Sequence, residues 1–296
     1  MRSKKTKQVS TNINKLGFDS YRIERINNMF TRDAKSMGSI ADFLLNYVST
    51  ASVHDMNYEI AVRMIQNYSK LYKKSCEEVA EICFVSKASI SRFCKYIGYH
   101  NYKEFQEALS FHYEMDSQYS KKFKTMLKAD KQQAMELHRD ALVSNIYSTL
   151  SEEMLVQLGD IAGILYESKN IAYFSHHFLW NVGRFFQSKM MLMNKYMQQF
   201  MYYDDQMECA SSLSSRDAAI ICSVEGTYPF RYNAIWNEIV SRECKIVVIT
   251  QNIDSSYWNQ ADYIVPCGKT NANDIGKYSA LMIIDMLLIY YMSKYM

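Results

Sequence analysis

The sequence predicts a mainly α-helical N-terminal domain containing a helix-turn-helix, followed by an α/β C-terminal domain with a parallel sheet flanked by helices. Only 2 Pro and 9 Gly occur in 296 residues, which disfavours an all-β fold because such folds need many turns. Apolar residues recur at helical spacing in the first half, whereas short β-branched runs alternate with longer segments in the second. This length accommodates two domains.

The charge is distributed unevenly along the chain. Residues 1–112 contain 17 Lys and Arg against 11 Asp and Glu, a balance of +6, and the remainder carries −3. A phosphate-backbone partner selects for such an excess, but many soluble domains are mildly basic as well. Charge alone therefore permits a nucleic-acid partner for the first half and does not require one.

The first half is predicted to be helical. "IADFLLNYVSTA" and "NYEIAVRMIQNYSKLY" place apolar residues three and four positions apart, the spacing of one helix face. At about residues 75–98, two short helices follow each other. Ser75 and Glu78 have capping-box spacing at the start of the first helix, Phe84 lies in the turn, and Ser86 can cap the second helix.

The outward face of the second short helix is predicted to be small or cationic. Small side chains allow a helix to approach the DNA major groove, hydroxyl groups can meet phosphates, and Arg or Lys can bind guanine edges. A solvated basic face on two packed helices has the same composition, so periodicity alone leaves both interpretations open. The candidate DNA-binding residues are Ser86, Lys87, Ala88, Ser89, Ser91, Arg92 and Lys95.

The segment "EEVAEICFVSKASISRFCKYIGYHNYKEF" resembles the helix-turn-helix of RpiR/MurR-type bacterial transcriptional regulators. This resemblance implies double-stranded DNA as a partner, with a homodimer or homotetramer on a palindromic operator, and regulation of carbohydrate metabolism. Ser89 stands where the family usually has Thr, which retains the hydroxyl group. The residues in register are Val79-Ala80, Val85-Ser86, Ala88-Ser89, Ser91-Arg92-Phe93-Cys94, Gly98 and Phe105.

In the second half, four short runs rich in β-branched and aromatic residues are separated by segments long enough for a helix or a long loop. Such alternation predicts a parallel sheet covered by helices, with ligands at the carboxyl ends of the strands. The runs are "NIAYFS" (170–175), "DAAIICSV" (217–224), "CKIVVIT" (244–250) and "ADYIVPC" (261–267).

This arrangement resembles the sugar isomerase (SIS) domain that follows the helix-turn-helix in RpiR-type regulators. Its best anchors are "AAIICSVEGTYP", "CKIVVITQNIDSSYWNQADYIV" and "YSALMIIDMLLIYY". Together the two resemblances imply three segments. These are a helical DNA-binding domain (1–112), a helical linker (113–128) and an SIS-like effector and dimerisation domain (129–296).

In the SIS family, Gly and Ser residues in the loops after the first two strands hold a phosphosugar. This sequence departs from both loops, because "SHHFLW" lacks the glycines and "SVEGTY" places Glu225 at a phosphate-contacting serine position. A carboxylate about 4 Å from a phosphate costs roughly 4 kcal/mol at an effective dielectric constant of 20. The candidate ligand-binding residues are Ser175, His176, His177, Ser223, Glu225, Gly226 and Thr227.

Three interpretations of the second domain stay open. It binds a different ligand such as an amino or otherwise cationic sugar, it binds a phosphosugar with His176 or His177 as the compensating cation, or it only dimerises. An SIS-type sugar-phosphate isomerase is the alternative function, with Glu225 and His177 cast in the roles that this chemistry requires, a general base and a phosphate anchor. The attached DNA-binding half argues against an enzyme, and we expect a regulator.

Cofactors, metal ions and a membrane are not expected. Seven scattered cysteines without a C-x-x-C pair indicate reduced, buried thiols, and adjacent His176 and His177 point to opposite sides of an extended chain. No apolar stretch follows the basic N-terminus, so a secretory signal is not predicted. The apolar segment 279–292 contains Asp285 and is too short for the ~20 residues of a membrane helix. These features predict a cytoplasmic protein with a buried terminal helix.

Overall fold

The computed structural model describes residues 40–52, 54–97, 99–115, 121–176, 178–269 and 273–296. Residues 1–39 lie outside the described part of the chain, and the described residues belong to one compact unit, Ser36–Met296. The prediction that the N-terminal domain begins at residue 1 therefore stays a prediction, as do the boundaries of the linker.

The first part of the described chain is helical throughout. Its core contains apolar residues spaced as the sequence predicts, including Ile60, Met64, Val79, Ile90 and Phe93, and each of these side chains is at most 1% exposed. The helices are α1 (Ile40–Thr50), α2 (Met56–Gln66), α3 (Tyr68–Leu71), α4 (Cys76–Cys83), α5 (Lys87–Tyr96) and α6 (Tyr102–Met115).

The predicted helix-turn-helix is formed by α4 and α5. Ser75 accepts a hydrogen bond from the Glu78 amide while the Glu78 side chain accepts one from the Ser75 amide, which confirms the capping box. Ser86 caps α5 by accepting a hydrogen bond from the Ser89 amide. Between the two helices, Phe84 adopts the left-handed conformation with φ 58°. Gly98, one of the residues in register with the family, lies outside the described residues.

The second part is an α/β structure built on a five-stranded parallel sheet with the order β2-β1-β3-β4-β5. The four predicted strand regions are confirmed as β1, β3, β4 and β5. The short edge strand β2 escaped prediction because "MQQ" contains no β-branched or aromatic residue. The strands are β1 (Ile171–Phe174), β2 (Met197–Gln199), β3 (Ala218–Cys222), β4 (Lys245–Thr250) and β5 (Tyr263–Pro266).

Helices cover both faces of this sheet and form two apolar cores. One core joins one face of the sheet to α9, α10 and α14, and the other joins the opposite face to α11 and α13. The helices are α7 (Lys121–Ala129), α8 (Lys131–Thr149), α9 (Glu152–Glu167), α10 (Phe178–Leu192), α11 (Tyr203–Ser212), α12 (Tyr228–Arg231), α13 (Asn233–Ser241) and α14 (Asn273–Tyr295), with a 3₁₀ turn at Ser256–Gln260.

The terminal helix α14 packs into the fold as predicted. Within it, Ile275–Tyr295 is long and apolar enough to cross a membrane, but half of its most apolar part is buried inside the structure, as in the core helix of a globular domain. All seven cysteines are buried free thiols, which confirms the prediction of small apolar core residues without disulfides.

Asp217 ties the loop before β3 to the loop before β1. Its carboxylate is almost fully buried and accepts four hydrogen bonds, two from Asn170 (amide nitrogen and Nδ2) and two from Ser214 (amide nitrogen and Oγ), at 2.6–2.9 Å. Burial raises the pKa of Asp217, but these hydrogen bonds to the charged form outweigh burial and leave the pKa below its usual value.

We expect Asp217→Asn to lower the free energy of unfolding by about 2 kcal/mol near neutral pH. The amide nitrogen that replaces one carboxylate oxygen is itself a donor, so the groups that donated to that oxygen lose their acceptor. The folded pKa of Asp217 is below the unfolded one, so its contribution is present above the unfolded pKa and is lost as pH falls through the folded pKa. Urea unfolding from about pH 7 to about pH 3 should show the two proteins converging in acid. Asp254→Asn, in an exposed loop, is the control, and equal losses from both variants would contradict the prediction.

Candidate functional site

The recognition helix α5 has one buried and one outward face. Ile90, Phe93 and Cys94 are fully buried against the other helices of the N-terminal core. The outward face is small or cationic, as predicted from the sequence. Exposed residues are Ser86, Lys87, Ala88, Arg92 and Lys95, and Ser91 is half-buried.

We predicted from the sequence that Ser89 points outward, but the structure places it on the buried side of α5. Its side chain is only 6% exposed, because it lies one turn before Phe93 on the edge of the buried stripe. Its hydroxyl lies 3.0 Å from Ser86 Oγ and accepts a hydrogen bond from Arg92 Nη2 at 3.3 Å. Ser89 thus supports the orientation of Arg92, and a phosphate contact by Ser89 is left without structural support.

A carboxylate escaped prediction at the edge of the same face. Glu77, in the first turn of α4, forms an ion pair with Lys87, the first residue of α5. The hydrogen bond from Lys87 lowers the pKa of Glu77, and the pairing raises the pKa of Lys87. Cys76 Sγ lies 3.8 Å from the Lys87 carbonyl oxygen and 3.8 Å from Ser91 Oγ. The start of α4 therefore adjoins the outward side of the recognition helix.

The second candidate site lies at the carboxyl ends of the parallel strands. Ser175 and His176 follow β1, and His177 lies outside the described residues. The His176 ring stacks on the rings of Tyr228 and Tyr232, with centroids 6.3 and 6.0 Å apart. Ser175 is buried. Stacking on two tyrosines far away in the sequence thus fixes the position of the His176 ring. This stacking could not be predicted from the spacing of residues in the sequence.

The loop after β3 reaches the same place. Thr227 Oγ1 lies 3.4 Å from His176 Nε2, so the first two predicted ligand loops meet. Ser223 is buried and its Oγ accepts a hydrogen bond from the Tyr228 amide. Gly226 has φ 72°, a conformation that side chains disfavour. The carboxylate-bearing residue Glu225 is half-buried in this loop.

Other strand-end residues were not anticipated. Asn145 on α8 is buried, donates a hydrogen bond to Ser279 Oγ and accepts one from the Lys269 amide. Gly276 of α14 lies so close to the β3 loop that an added Cβ would be 2.4 Å from Val224 Cγ1. Asn145 lies among many polar residues of α8, so the sequence offered no signal that singled it out.

Lys277 supplies a positive charge beside these loops. Its Nζ lies 5.5 Å from the ring centroid of Phe178, the first residue of α10 after the β1 loop. Lys277 is thus a candidate for neutralising an anionic ligand, a role that the sequence analysis gave to the histidines. Among the described residues, no cluster of three or more His, Cys, Asp or Glu is placed to hold a metal ion.

An open cleft of about 440 Å³ lies elsewhere, between β5 and the α8–α9 connection. Its walls include Ser151, Glu153, Gln157 and Pro266. Gln157 Nε2 donates to the Ile264 carbonyl oxygen, and Ser151 caps α9, so these groups already serve the fold. The strand-end residues, which bring together side chains from separate loops, are the better candidate for a ligand site.

Aromatic contacts run from the recognition helix toward the strand ends. Tyr96, the last residue of α5, contacts Tyr47 of α1, which stacks on Phe43. Phe43 in turn contacts Tyr202 before α11, with ring centroids 5.8 Å apart. Burial raises the pKa of Tyr202, and a hydrogen bond with Asn46 of α1 only partly offsets this effect.

The contacts continue from the residue after Tyr202. Tyr203 stacks on Tyr232, with ring centroids 6.2 Å apart, and Tyr232 lies against His176. Burial raises the pKa of Tyr228 well above its usual value, with neighbouring Tyr232 adding to the effect, so the hydroxyl is neutral at ordinary pH. Two sets of ring contacts, joined by the backbone between Tyr202 and Tyr203, thus connect α5 with the loops that carry His176 and Thr227.

Comparison with known proteins supports the helix-turn-helix. Residues 52–116 match the family model described as "Helix-turn-helix domain, rpiR family". No curated protein sequence matches the chain significantly.

Several solved structures resemble this chain at low sequence identity. The Vibrio vulnificus NanR protein complexed with ManNAc-6P has 17% identity and a TM-score of 0.46, over 85% of this chain and 92% of that one. The sugar isomerase domain of an RpiR transcription factor from Sphaerobacter thermophilus has 12% identity and a TM-score of 0.45, over 55% of this chain and 90% of its own.

A Methanococcus jannaschii protein, whose structure was taken to infer a 3-hexulose-6-phosphate isomerase, has 14% identity and a TM-score of 0.45, over 55% and 90% of the two chains. At these identities and TM-scores, no residue role is transferred from any of the three. Residues 52–116 thus match an rpiR-family helix-turn-helix domain, and α4 and α5 have the capped helix-turn-helix geometry that this match implies.

Proposed function

We propose that this chain is a cytoplasmic transcriptional regulator that binds a palindromic operator as a homo-oligomer. A carbohydrate derivative, bound at the strand ends of the SIS-like domain, modulates the affinity for the operator. The proposal rests on the presence, in one chain, of a candidate DNA-binding face on α5 and a candidate ligand site at the strand ends. The recognition helix presents Arg92 and Lys95 to solvent, and the loops after β1 and β3 meet at His176 and Thr227. A two-fold oligomer is needed because a palindrome repeats the half-site.

The strand-end chemistry supports a polar ligand with hydroxyl groups. Thr227 and Asn252, the latter in the loop after β4, are partly exposed and carry hydrogen-bonding groups, whereas Ser223 and Tyr232 are buried and support the loop from behind. Glu225 opposes a phosphate in the β3 loop. An amino sugar offers a cation to Glu225 instead of a phosphate. A phosphosugar avoids the repulsion by Glu225 when its phosphate faces Lys277.

The ring contacts supply a physical route between the two sites. A ligand that moves His176 or Tyr232 changes the support of Tyr203, and with it the contact of Tyr202 with α1. Because α1 carries Tyr47 against the end of the recognition helix, such a change can favour one arrangement of the DNA-binding domain. Coupling requires that the ligand bind one arrangement more tightly than the other.

We propose that the SIS-like domain senses its ligand without turning it over. An isomerase needs a general base free to reach the sugar C1–C2 protons together with a phosphate anchor. Glu225 repels the phosphate that would anchor the substrate, and His177, the other candidate for such an enzyme, lies outside the described residues. The repulsion by Glu225 favours binding over catalysis.

The test uses the full chain and operator sequences enriched from a pool of random DNA duplexes. Fluorescence anisotropy then measures operator affinity with sugars, amino sugars and sugar phosphates, including N-acetylmannosamine 6-phosphate. We expect at least one compound to change the affinity about tenfold, a coupling of about 1.4 kcal/mol. Phe43→Ala should abolish this response and leave ligand binding intact.

The control is Phe123→Ala, which removes an aromatic ring on α7 that lies outside this series of contacts. If Phe43→Ala retains the full response, the ring contacts do not carry the coupling. If the enriched operator is bound equally with every compound and none shifts the melting temperature, the second domain serves only for dimerisation. Turnover of a sugar phosphate by the purified chain would establish the isomerase instead.

A further inference from the structure

The start of α4 carries an exposed carboxylate, Glu77, that pairs with the first residue of the recognition helix. Glu78 in the same turn of α4 accepts a hydrogen bond from the Ser75 amide and pairs with Lys74, so its charge serves the fold. Glu77 instead reaches across to Lys87 on the recognition helix, and the side chains of this pair are 57% and 60% exposed. Its carboxylate is exposed while paired with Lys87, so it has capacity to accept a further hydrogen bond from a ligand.

Its position places it near DNA. Cys76, beside Glu77, contacts both the Lys87 carbonyl oxygen and Ser91 Oγ, so the start of α4 packs against the first turn of α5. When α5 enters the major groove with its N-terminal residues leading, Glu77 comes close to the same groove. A carboxylate facing phosphates would oppose binding, whereas over base edges it is an acceptor for amino groups.

We propose that Glu77 is a specificity-determining residue, whose carboxylate, oriented by Lys87, accepts a hydrogen bond from the exocyclic amino group of a cytosine in the operator. Among the bases, cytosine presents only this donor in the major groove, and carboxylates pair with it. Lys87 lies beside Glu77 and reaches toward the neighbouring acceptor groups of guanine. The proposal rests on the docking of α5 in the major groove described above.

The experiment enriches operators from random DNA duplexes with the full chain and with the variants Glu77→Ala and Glu77→Gln. Anisotropy then compares the wild-type operator with the three single-base-pair changes at each position of a half-site. We expect Glu77→Ala to reduce the preference for cytosine at one position by about 5- to 150-fold. Glu77→Gln should move that preference toward adenine, because Gln pairs with the adenine N6 and N7 atoms.

The matched control is Glu107→Gln on α6, which removes the same charge from an exposed carboxylate away from α5. Melting temperatures close to the wild type verify that the variants are folded. If Glu77→Ala keeps every base preference and only binds random DNA more tightly, or if Glu107→Gln alters the same position equally, Glu77 is no base-reading residue. A wild-type chain that enriches no sequence would instead overturn operator binding, and this proposal with it.

Discussion

Replacing Glu225 by serine is expected to tighten the binding of a sugar phosphate by about 100-fold. A carboxylate about 4 Å from a phosphate costs roughly 4 kcal/mol at an effective dielectric constant of 20, which alone corresponds to about 1,000-fold in affinity. Because Glu225 is only half-buried, solvent screens part of this repulsion. A serine adds a hydroxyl donor beside Ser223 and Thr227, so the loop gains a hydrogen bond as it loses the charge.

Isothermal titration of the full chain with N-acetylmannosamine 6-phosphate and with N-acetylmannosamine measures this effect. The phosphorylated compound should gain affinity in Glu225→Ser, whereas the unphosphorylated one should change by less than about threefold. Glu225→Gln is the matched control, since it removes the charge and keeps the size of the side chain. A similar gain in both variants assigns the effect to charge.

Equal affinities of the wild type and Glu225→Ser for the phosphorylated sugar would contradict this prediction. The phosphate would then lie away from the β3 loop, on the side where Lys277 approaches Phe178. A gain that is as large for the unphosphorylated sugar would show that Glu225 obstructs the sugar ring and not the phosphate.

The helix-turn-helix was predictable because its signals are local. The capping box of Ser75 and Glu78 and the cap at Ser86 depend on residues three positions apart, and the apolar spacing sets the buried face. The same rule, applied strictly, places Ser89 one turn before Phe93 and therefore on the buried stripe. We predicted Ser89 to be outward because serine is small and polar, although its spacing from Phe93 indicates the buried face.

The strand-end site was predictable only in part. Each loop follows a strand with a clear apolar run, so the sequence locates Ser175 and Ser223 at the correct edge of the sheet. It does not contain the distances between separate loops. The stacking of His176 on Tyr228, and the approach of Lys277 to Phe178, join residues far apart in the chain and arise only from packing.

Arg92→Ala is expected to weaken binding to the enriched operator by about 5- to 150-fold, the value of one bidentate pair between arginine and guanine. Arg92 is exposed and forms no ion pair with the residues that the structure describes, whereas Lys87 is engaged with Glu77. Its hydrogen bond to Ser89 limits the rotation of the guanidinium group. Arg92 is thus a cation held in position and available for a base.

Arg92→Lys separates charge from shape in this interaction. Lysine keeps the attraction to phosphates but lacks the planar fork that binds guanine O6 and N7 together. We therefore expect Arg92→Lys to bind random DNA nearly as tightly as the wild type, while much of the specific affinity stays lost. Anisotropy at several salt concentrations distinguishes the two contributions, because phosphate contacts steepen the salt dependence.

Arg139→Ala provides the matched control, because Arg139 is an exposed arginine on α8, away from the recognition helix. It should leave operator affinity and base preferences unchanged. Full specific binding by Arg92→Lys would show that Arg92 contacts a phosphate, since a point charge suffices there. Base reading by α5 would then have to come from Lys87, Ser91 or Lys95, and with an ion pair already holding Lys87, the carboxylate of Glu77 would become the main determinant of the operator sequence.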